Sequence, residues 1–252
     1  MRRLLSVLMI LVICGVSFAA GAEAAAADGH ALTRFYFSRW GELVPRTWEV
    51  VREGDGFVLT EDEEEPRSFP AELAAALEQA IADYGMEKWN GEYSTEYEVL
   101  DGECFSLQME FGDGTSVSAY GNNAFPPRYF EAMGAVDEIF EREKRGTLAG
   151  TYRYEKEGFG GDFTITLNAD GTFAFSEGPL SSYLGEGSWY VAFGSADLYE
   201  GDTGTGLSFS FGIGENSLIY LAWGSDAFPH VELPDEARFV RVKEDGMKLY
   251  TR

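Results

Sequence analysis

GTYRYEKEGFGGDFTITLNADGTFAFSEGPLSSYLGEGSWYV, residues 150–191, is the stretch from which the fold is read. Phe163, Ile165 and Leu167 alternate with Thr164 and Thr166. Successive side chains of a strand face opposite sides, so one face is apolar and the other polar. Asn168, Ala169, Asp170 and Gly171 interrupt the pattern, and Phe173 and Phe175 resume it. Asn, Asp and Gly tolerate positive φ, which makes this a hairpin turn. Trp189, Val191 and Phe193 supply a further apolar face. One hairpin is marginal in water, so these faces need partners elsewhere in the chain.

The partners lie on both sides of the stretch. Tyr152 and Tyr154 precede the hairpin on one strand face. Leu207, Phe209 and Phe211 alternate with Ser208 and Ser210, 217–223 is a longer apolar run, and 237–242 is a last strand. Gly-rich turns at 185–187, 201–206 and 212–214 separate them. Roughly eight short strands at close spacing predict an antiparallel barrel or sandwich. Closure would remove exposed sheet edges, which template aggregation.

Upstream the periods are mixed. Residues 33–40 and 46–52 alternate as strands, 53–56 is a hairpin signal, and 57–60 is the return strand. The five acids at 61–65 repel one another and predict a solvated loop. A calcium site needs converging oxygens and not a linear run. Leu73, Leu77, Ile81 and Tyr84 fall on one stripe of a helix over 70–84. Residues 88–91 turn the chain, 104–111 and 115–120 form a second hairpin about 112–114, and Pro126-Pro127 precedes a second helix to about residue 144. Its stripe is Tyr129, Met133, Val136 and Phe140, and Gly146 ends it. The expected fold is α+β: a strand-strand-helix-strand-strand-helix domain over 33–146, then an all-β antiparallel barrel or sandwich over 147–252.

The N-terminus predicts export. Arg2 and Arg3 form a charged region, 4–12 an apolar one, and Ala20-Gly21-Ala22 a cleavage site, giving a signal peptide over 1–22 and a short tether over 23–32. Ala25-Ala26-Ala27 is a second cleavage candidate. The apolar run is short for a membrane span, and no other segment is suited to one. Signal anchoring and lipidation at Cys14 are the minority alternatives; Ile13 stands where a lipid-attachment motif wants a small residue. With Cys14 removed, Cys104 remains alone and no intrachain disulfide forms.

The chain holds 43 Asp and Glu against 19 Lys and Arg, a net charge of −24. That excludes nucleic acid as a partner, since phosphate contacts need a basic surface. It fits a basic peptide or protein instead.

Catalytic motifs are absent. The two histidines, His30 and His230, have no partner at metal-ligand spacing, and H-E-x-x-H, Cys-x-x-Cys and G-x-S-x-G do not occur. Residues 201–206 lack the Lys-Ser/Thr of a phosphate loop. Cys104 has no histidine nearby to activate it and reads as a structural thiol. No catalytic or cofactor-binding residue is assigned. One metal set depends on processing. Cleavage after Ala27 would start the mature chain Asp28-Gly29-His30. An amine, two amides and an imidazole then make a square-planar nitrogen set suited to Cu(II) or Ni(II).

Residues 150–191 resemble the small lipocalin-like β-barrel domains of uncharacterised exported proteins and lipoproteins of Gram-positive bacteria. KWNG (88–91) with VLDGECFSLQMEFGDGTSVSAYG (99–121) resembles another extracytoplasmic domain of the same bacteria. Together the two resemblances cover most of the chain beyond the signal. They imply exported architecture and carry over no catalytic residue. The expected function is therefore an exported, acidic, non-enzymatic binding protein for a protein, peptide or small apolar ligand. The alternatives are an extracellular carboxylate-dependent hydrolase of glycans or peptides, and an envelope sensor or inhibitor domain. Phe163, Phe173, Phe175, Trp189, Phe209 and Phe211 are expected to fill the barrel as core, not to line a cavity.

Overall fold

The structure, a computed structural model, describes residues 29–41, 45–96, 102–155, 162–178, 183–192, 194–201, 206–228 and 232–243. The expected signal segment, Cys14, Asp28 and His230 lie outside them. The chain forms two compact units, residues 1–127 and 128–252.

The first unit is built on a seven-stranded sheet. Its strands are β1 (Leu32–Trp40), β2 (Arg46–Glu53), β3 (Gly56–Glu61), β4 (Arg67–Phe69), β5 (Gly91–Ser94), β6 (Cys104–Phe111) and β7 (Ser116–Asn122), in the order β4-β3-β2-β1-β6-β7-β5. All neighbours are antiparallel except β5, which runs parallel to β7. Alternation sorts the faces as expected: Phe105, Leu107, Met109 and Phe111 are buried, while Gln108 and Glu110 are exposed. Helix α1 (Ala71–Tyr84) connects β4 to β5 and buries Leu73, Leu77 and Ile81 from the expected stripe, with Ala74 and Ala80 beside them. Gly85, at φ 67°, ends α1 in the left-handed region.

The structure departs from the sequence reading in several details. Four strands and not two precede α1, the short β4 being the unexpected one, and three follow it. The strand expected over 217–223 stops at Tyr220, before a 3-10 turn at Ala222–Gly224. Strand β5 follows a 3-10 turn at Met86–Lys88, where only a turn was expected. Its pairing to β7 is parallel and non-local, which no local pattern announces. Glu61 is not part of a solvated acidic run. It ends β3 as a buried carboxylate, accepting from Trp48 Nε1 at 3.3 Å and from Arg67 Nη2 at 3.0 Å. Finally, helix α2 (Tyr129–Leu148) belongs to the second compact unit and runs through Gly146. A Gly inside a helix costs only about 1 kcal/mol, and here the helix continues almost directly into the next strand.

The second unit is α2 followed by a closed eight-stranded barrel: β8 (Gly150–Glu155), β9 (Asp162–Leu167), β10 (Thr172–Ser176), β11 (Leu184–Ala192), β12 (Ser195–Tyr199), β13 (Ser208–Gly214), β14 (Ser217–Tyr220) and β15 (Arg238–Arg241). Each strand pairs antiparallel with the next. β15 closes on β8 through Val240 opposite Arg153 and Arg241 opposite Tyr152. The stripe Tyr129, Met133, Val136 and Phe140 of α2 is buried.

The turn that decides the hairpin is held by one side chain. Asp170 Oδ1 accepts from the Thr172 amide at 2.9 Å and from its hydroxyl at 2.7 Å, while Gly171 takes φ 85°. These bonds to the charged form lower the Asp170 pKa. The same Asp-Gly-Thr arrangement recurs in the first unit. Asp113 Oδ1 accepts from the Thr115 amide at 2.8 Å and its hydroxyl at 2.6 Å, and Gly114 has φ 84°.

Candidate functional site

The barrel interior is built by the inward set of every strand. Phe163, Ile165 and Leu167, Phe173 and Phe175, Trp189, Ala196 and Leu198, Phe209 and Phe211, Leu218 and Tyr220, and Phe239 form one buried cluster. The rings meet across the barrel. Phe209 stacks on Phe228 with centroids 4.2 Å apart, Phe228 lies 4.7 Å from Phe175, and Phe211 meets Phe239 edge-on at 5.5 Å. Such contacts occupy the space an apolar ligand would take. Trp189 and Tyr152 satisfy their polar atoms locally, Nε1 donating to Asn168 O and the hydroxyl to Leu148 O.

Among the described residues of this unit three carboxylates are buried, Glu143 on α2 and two at the barrel strands. Glu177 directly follows β10 and Glu200 directly follows β12, and both are almost fully enclosed. β10 and β12 each run antiparallel to β11, so the two acids leave the same end of the barrel. Register staggers them, because Glu177 follows Ser176 opposite Leu184 while Glu200 follows Tyr199 opposite Ser188, so two strand spacings and a four-residue offset separate their backbones by roughly 16 Å. The Tyr183 hydroxyl donates to Glu200 Oε1.

The outward face differs from the core in a way composition hides. Between Lys156 and Arg238 the chain has no Lys or Arg, yet it carries 13 Asp and Glu. On this face of β11–β13 three aromatics stand out: Tyr190 is 52% exposed, Tyr199 43% and Trp223 84%. Register sets the row. Tyr190 is opposite Asp197, and Asp197 is opposite Ser210. Ser210 Oγ donates to Asp197 Oδ1 at 2.5 Å, while Ser195 Oγ lies 3.2 Å from Oδ2 and donates to Ala192 O at 2.7 Å. Beyond Ser210 the 3-10 turn Ala222–Gly224 closes the row, because Ser210 Oγ also reaches Gly224 O at 3.1 Å. The backbone fixes that turn to β13. Leu221 N donates to Ser210 O, Asp226 N to Ser208 O, and Ser208 N to Asp226 Oδ2.

The residues singled out from sequence are placed as follows. The His30 ring stacks on Phe111 with centroids 4.3 Å apart. Its Nδ1 lies 2.7 Å from Asp113 Oδ2 and its Nε2 3.5 Å from Glu87 Oε1. The bond to Asp113, and then the charges of Asp113 and Glu87, raise the His30 pKa. Asp113 is lowered to about 2, first by the two Thr115 bonds and then by His30. The Ala31 carbonyl accepts from Gly112 N, so His30 pins the start of β1 to the β6–β7 turn. Gly29 precedes it at φ 70°. A Cu(II) or Ni(II) set of Asp28, Gly29 and His30 would have to draw the imidazole away from Asp113. Among the described residues no group of three or more His, Cys, Asp or Glu is placed to hold a metal ion. Cys104 is a free thiol whose Sγ reaches Asn122 Oδ1 at 3.6 Å.

No protein-family model, curated protein or solved structure matches the chain. Among the described residues no helix is long and apolar enough to cross a membrane. The exposed aromatic row is the feature that sequence reasoning missed. Tyr190 and Tyr199 alternate with the buried Trp189 and Leu198, so the period-2 pattern itself was the signal that would have put them on the outer face.

Proposed function

We propose that the chain is an exported, non-enzymatic binding protein whose barrel is a filled scaffold and whose ligands are taken on the outside. The single observation that carries this reading is the stacking of Phe175, Phe209 and Phe228 across the barrel interior. A ligand-carrying barrel of eight strands keeps its centre open for one small molecule, whereas this one fills it with rings. Export rests on the charged, apolar and small-residue order of residues 1–22, and the lipocalin-like relationship on the barrel topology and the 150–191 pattern. Titration with the neutral apolar dye N-phenyl-1-naphthylamine tests the filled scaffold. No saturable fluorescence gain is expected from the native protein, and micromolar saturable binding would replace this reading with that of a carrier.

A specific arrangement favours one second reading, a carboxylate-dependent hydrolase. Glu177 and Glu200 are buried at one end of the barrel with the Tyr183 hydroxyl on Glu200. Glycoside hydrolysis uses a pair of carboxyl groups flanking the scissile bond, and these two side chains would have to reach toward each other to supply it. Release of reducing ends from cell-wall glycan, abolished in both Glu177→Gln and Glu200→Gln, would establish it. Its absence in the wild-type chain leaves the binding reading.

A further inference from the structure

We infer that the outer face of β11–β13, with the turn that carries Trp223, is a docking site for a Lys- or Arg-bearing extended peptide segment. This rests on the binding reading above and names the partner.

Three observations converge on a cationic occupant. The first is charge. The barrel wall from residue 157 to 237 contributes carboxylates and no Lys or Arg, so nothing within this stretch neutralises the face. Arg145, which lies beside Gly171, is already paired with Glu138 at 2.6 Å. The second is the aromatic set. Tyr190, Tyr199 and Trp223 expose their rings on the outer surface of a barrel whose other large rings are mostly turned inward. An aromatic face attracts an ammonium or guanidinium through its quadrupole, Trp most strongly. The third is the row itself. Tyr190 on β11, Asp197 on β12 and Ser210 on β13 stand side by side, with the Trp223 turn beyond Ser210. Two strand spacings and the turn make a row somewhat over 10 Å long. Alternate side chains of an extended peptide lie on one face about 6.8 Å apart, so a Lys or Arg at i and another at i+2 or i+4 spans it.

The rest of the face suits close approach. Ser188, Ser195, Ser208, Ser210 and Gly212 are small, so the aromatics stand above their surroundings. The carboxylate in the middle is held in place. Asp197 accepts from Ser210 at 2.5 Å and is oriented before any partner arrives. Pre-ordering one charge in this way lowers the ordering cost of binding. Anionic polymers are disfavoured by the same field.

The test uses the full chain and an acetylated peptide of alternating lysine and serine, about ten residues long. Affinity is read by calorimetry at low and at physiological salt. Trp223→Ala with Tyr190→Ala leaves the net charge unchanged, so any loss reads the rings and not the overall field. Both side chains are exposed, and an unchanged melting temperature verifies folding. A loss of about tenfold is expected in the double variant. Asp197→Asn should weaken binding more than Glu232→Gln, which removes the same charge from an exposed position elsewhere. Equal affinity of wild-type and double variant would overturn the inference and reduce the binding to non-specific charge attraction. Tighter binding of a neutral cello-oligosaccharide that shields Trp223 from quenching would overturn it in favour of a saccharide. Neither outcome bears on the filled barrel, whose failure shows separately as dye binding.

Discussion

Phe209→Ala should open the barrel. Phe209 is almost fully buried, stacked 4.2 Å from Phe228 with planes 3° apart, and 6.4 Å from Phe175. Losing the transfer free energy of the ring costs about 2 kcal/mol. A residual void of roughly 100 Å³, at about 24 cal/mol per Å³, adds about 2.4 kcal/mol. Partial collapse of neighbouring rings lowers the total, so a destabilisation of about 3–5 kcal/mol is expected. Urea unfolding followed by near-ultraviolet circular dichroism measures it, with the midpoint falling at unchanged slope. The void would be apolar and dry, and such cavities take up benzene. Benzene at about 100 times its Kd would return about 2.7 kcal/mol to the variant and nothing to the wild type. A loss below about 1 kcal/mol, or equal stabilisation of the wild type by benzene, would refute the reasoning. Either result would mean that the interior already contains space.

Gly187→Ala should cost about 3 kcal/mol or more, because a Cβ there would strike the Tyr199 carbonyl and sit 2.9 Å from Glu200 Cα. Both are backbone atoms, Tyr199 in the β11–β12 ladder and Glu200 directly after it, and thermal unfolding against wild type checks the loss. Arg67→Ala leaves the buried Glu61 carboxylate without the cation 3.0 Å from it. About 2–4 kcal/mol should be lost in urea unfolding, and Glu61→Gln in the same background should recover part of it. The His30 pin should depend on pH. The folded pKa of His30 lies above 6.5, so its contribution is complete below pH 6.5 and is lost as pH rises through the raised value. Asp113 contributes fully above its usual 3.8, and that contribution disappears as pH falls through about 2. Glu87 and Asp113 are the carboxylates facing the ring. Hydrogen exchange at Gly112 N–H, bonded to Ala31 O, should therefore accelerate at high pH beyond the intrinsic rate in wild type but not in His30→Gln. Parallel profiles for the two would show that the pin is idle.

Much of the architecture was legible in the residues themselves, because alternation and helical stripes are local and each reports which face must leave water. Phe163, Ile165 and Leu167 were assigned inward and are buried. The stripe Leu73, Leu77 and Ile81 was assigned to a helix and is buried on one. The turn at 168–171 followed from Asp and Gly, and the Thr172 bonds to Asp170 show why those residues suit it.

What the sequence determined, then, was the type of each element, the strong acidity and the absence of catalytic motifs. Tertiary structure decided which elements meet. Closure of β15 on β8 pairs Val240 with Arg153 and Arg241 with Tyr152, far apart in the chain, and β5 pairs with β7 across a hairpin. Glu61 became a buried ion-pair partner because Arg67 returns beside it on the next strand, whereas the local run of acids pointed to solvent. Tyr190, Asp197, Ser210 and the Trp223 turn form one row because ladder register sets them side by side. Register depends on pairing between distant segments, and no local period encodes it.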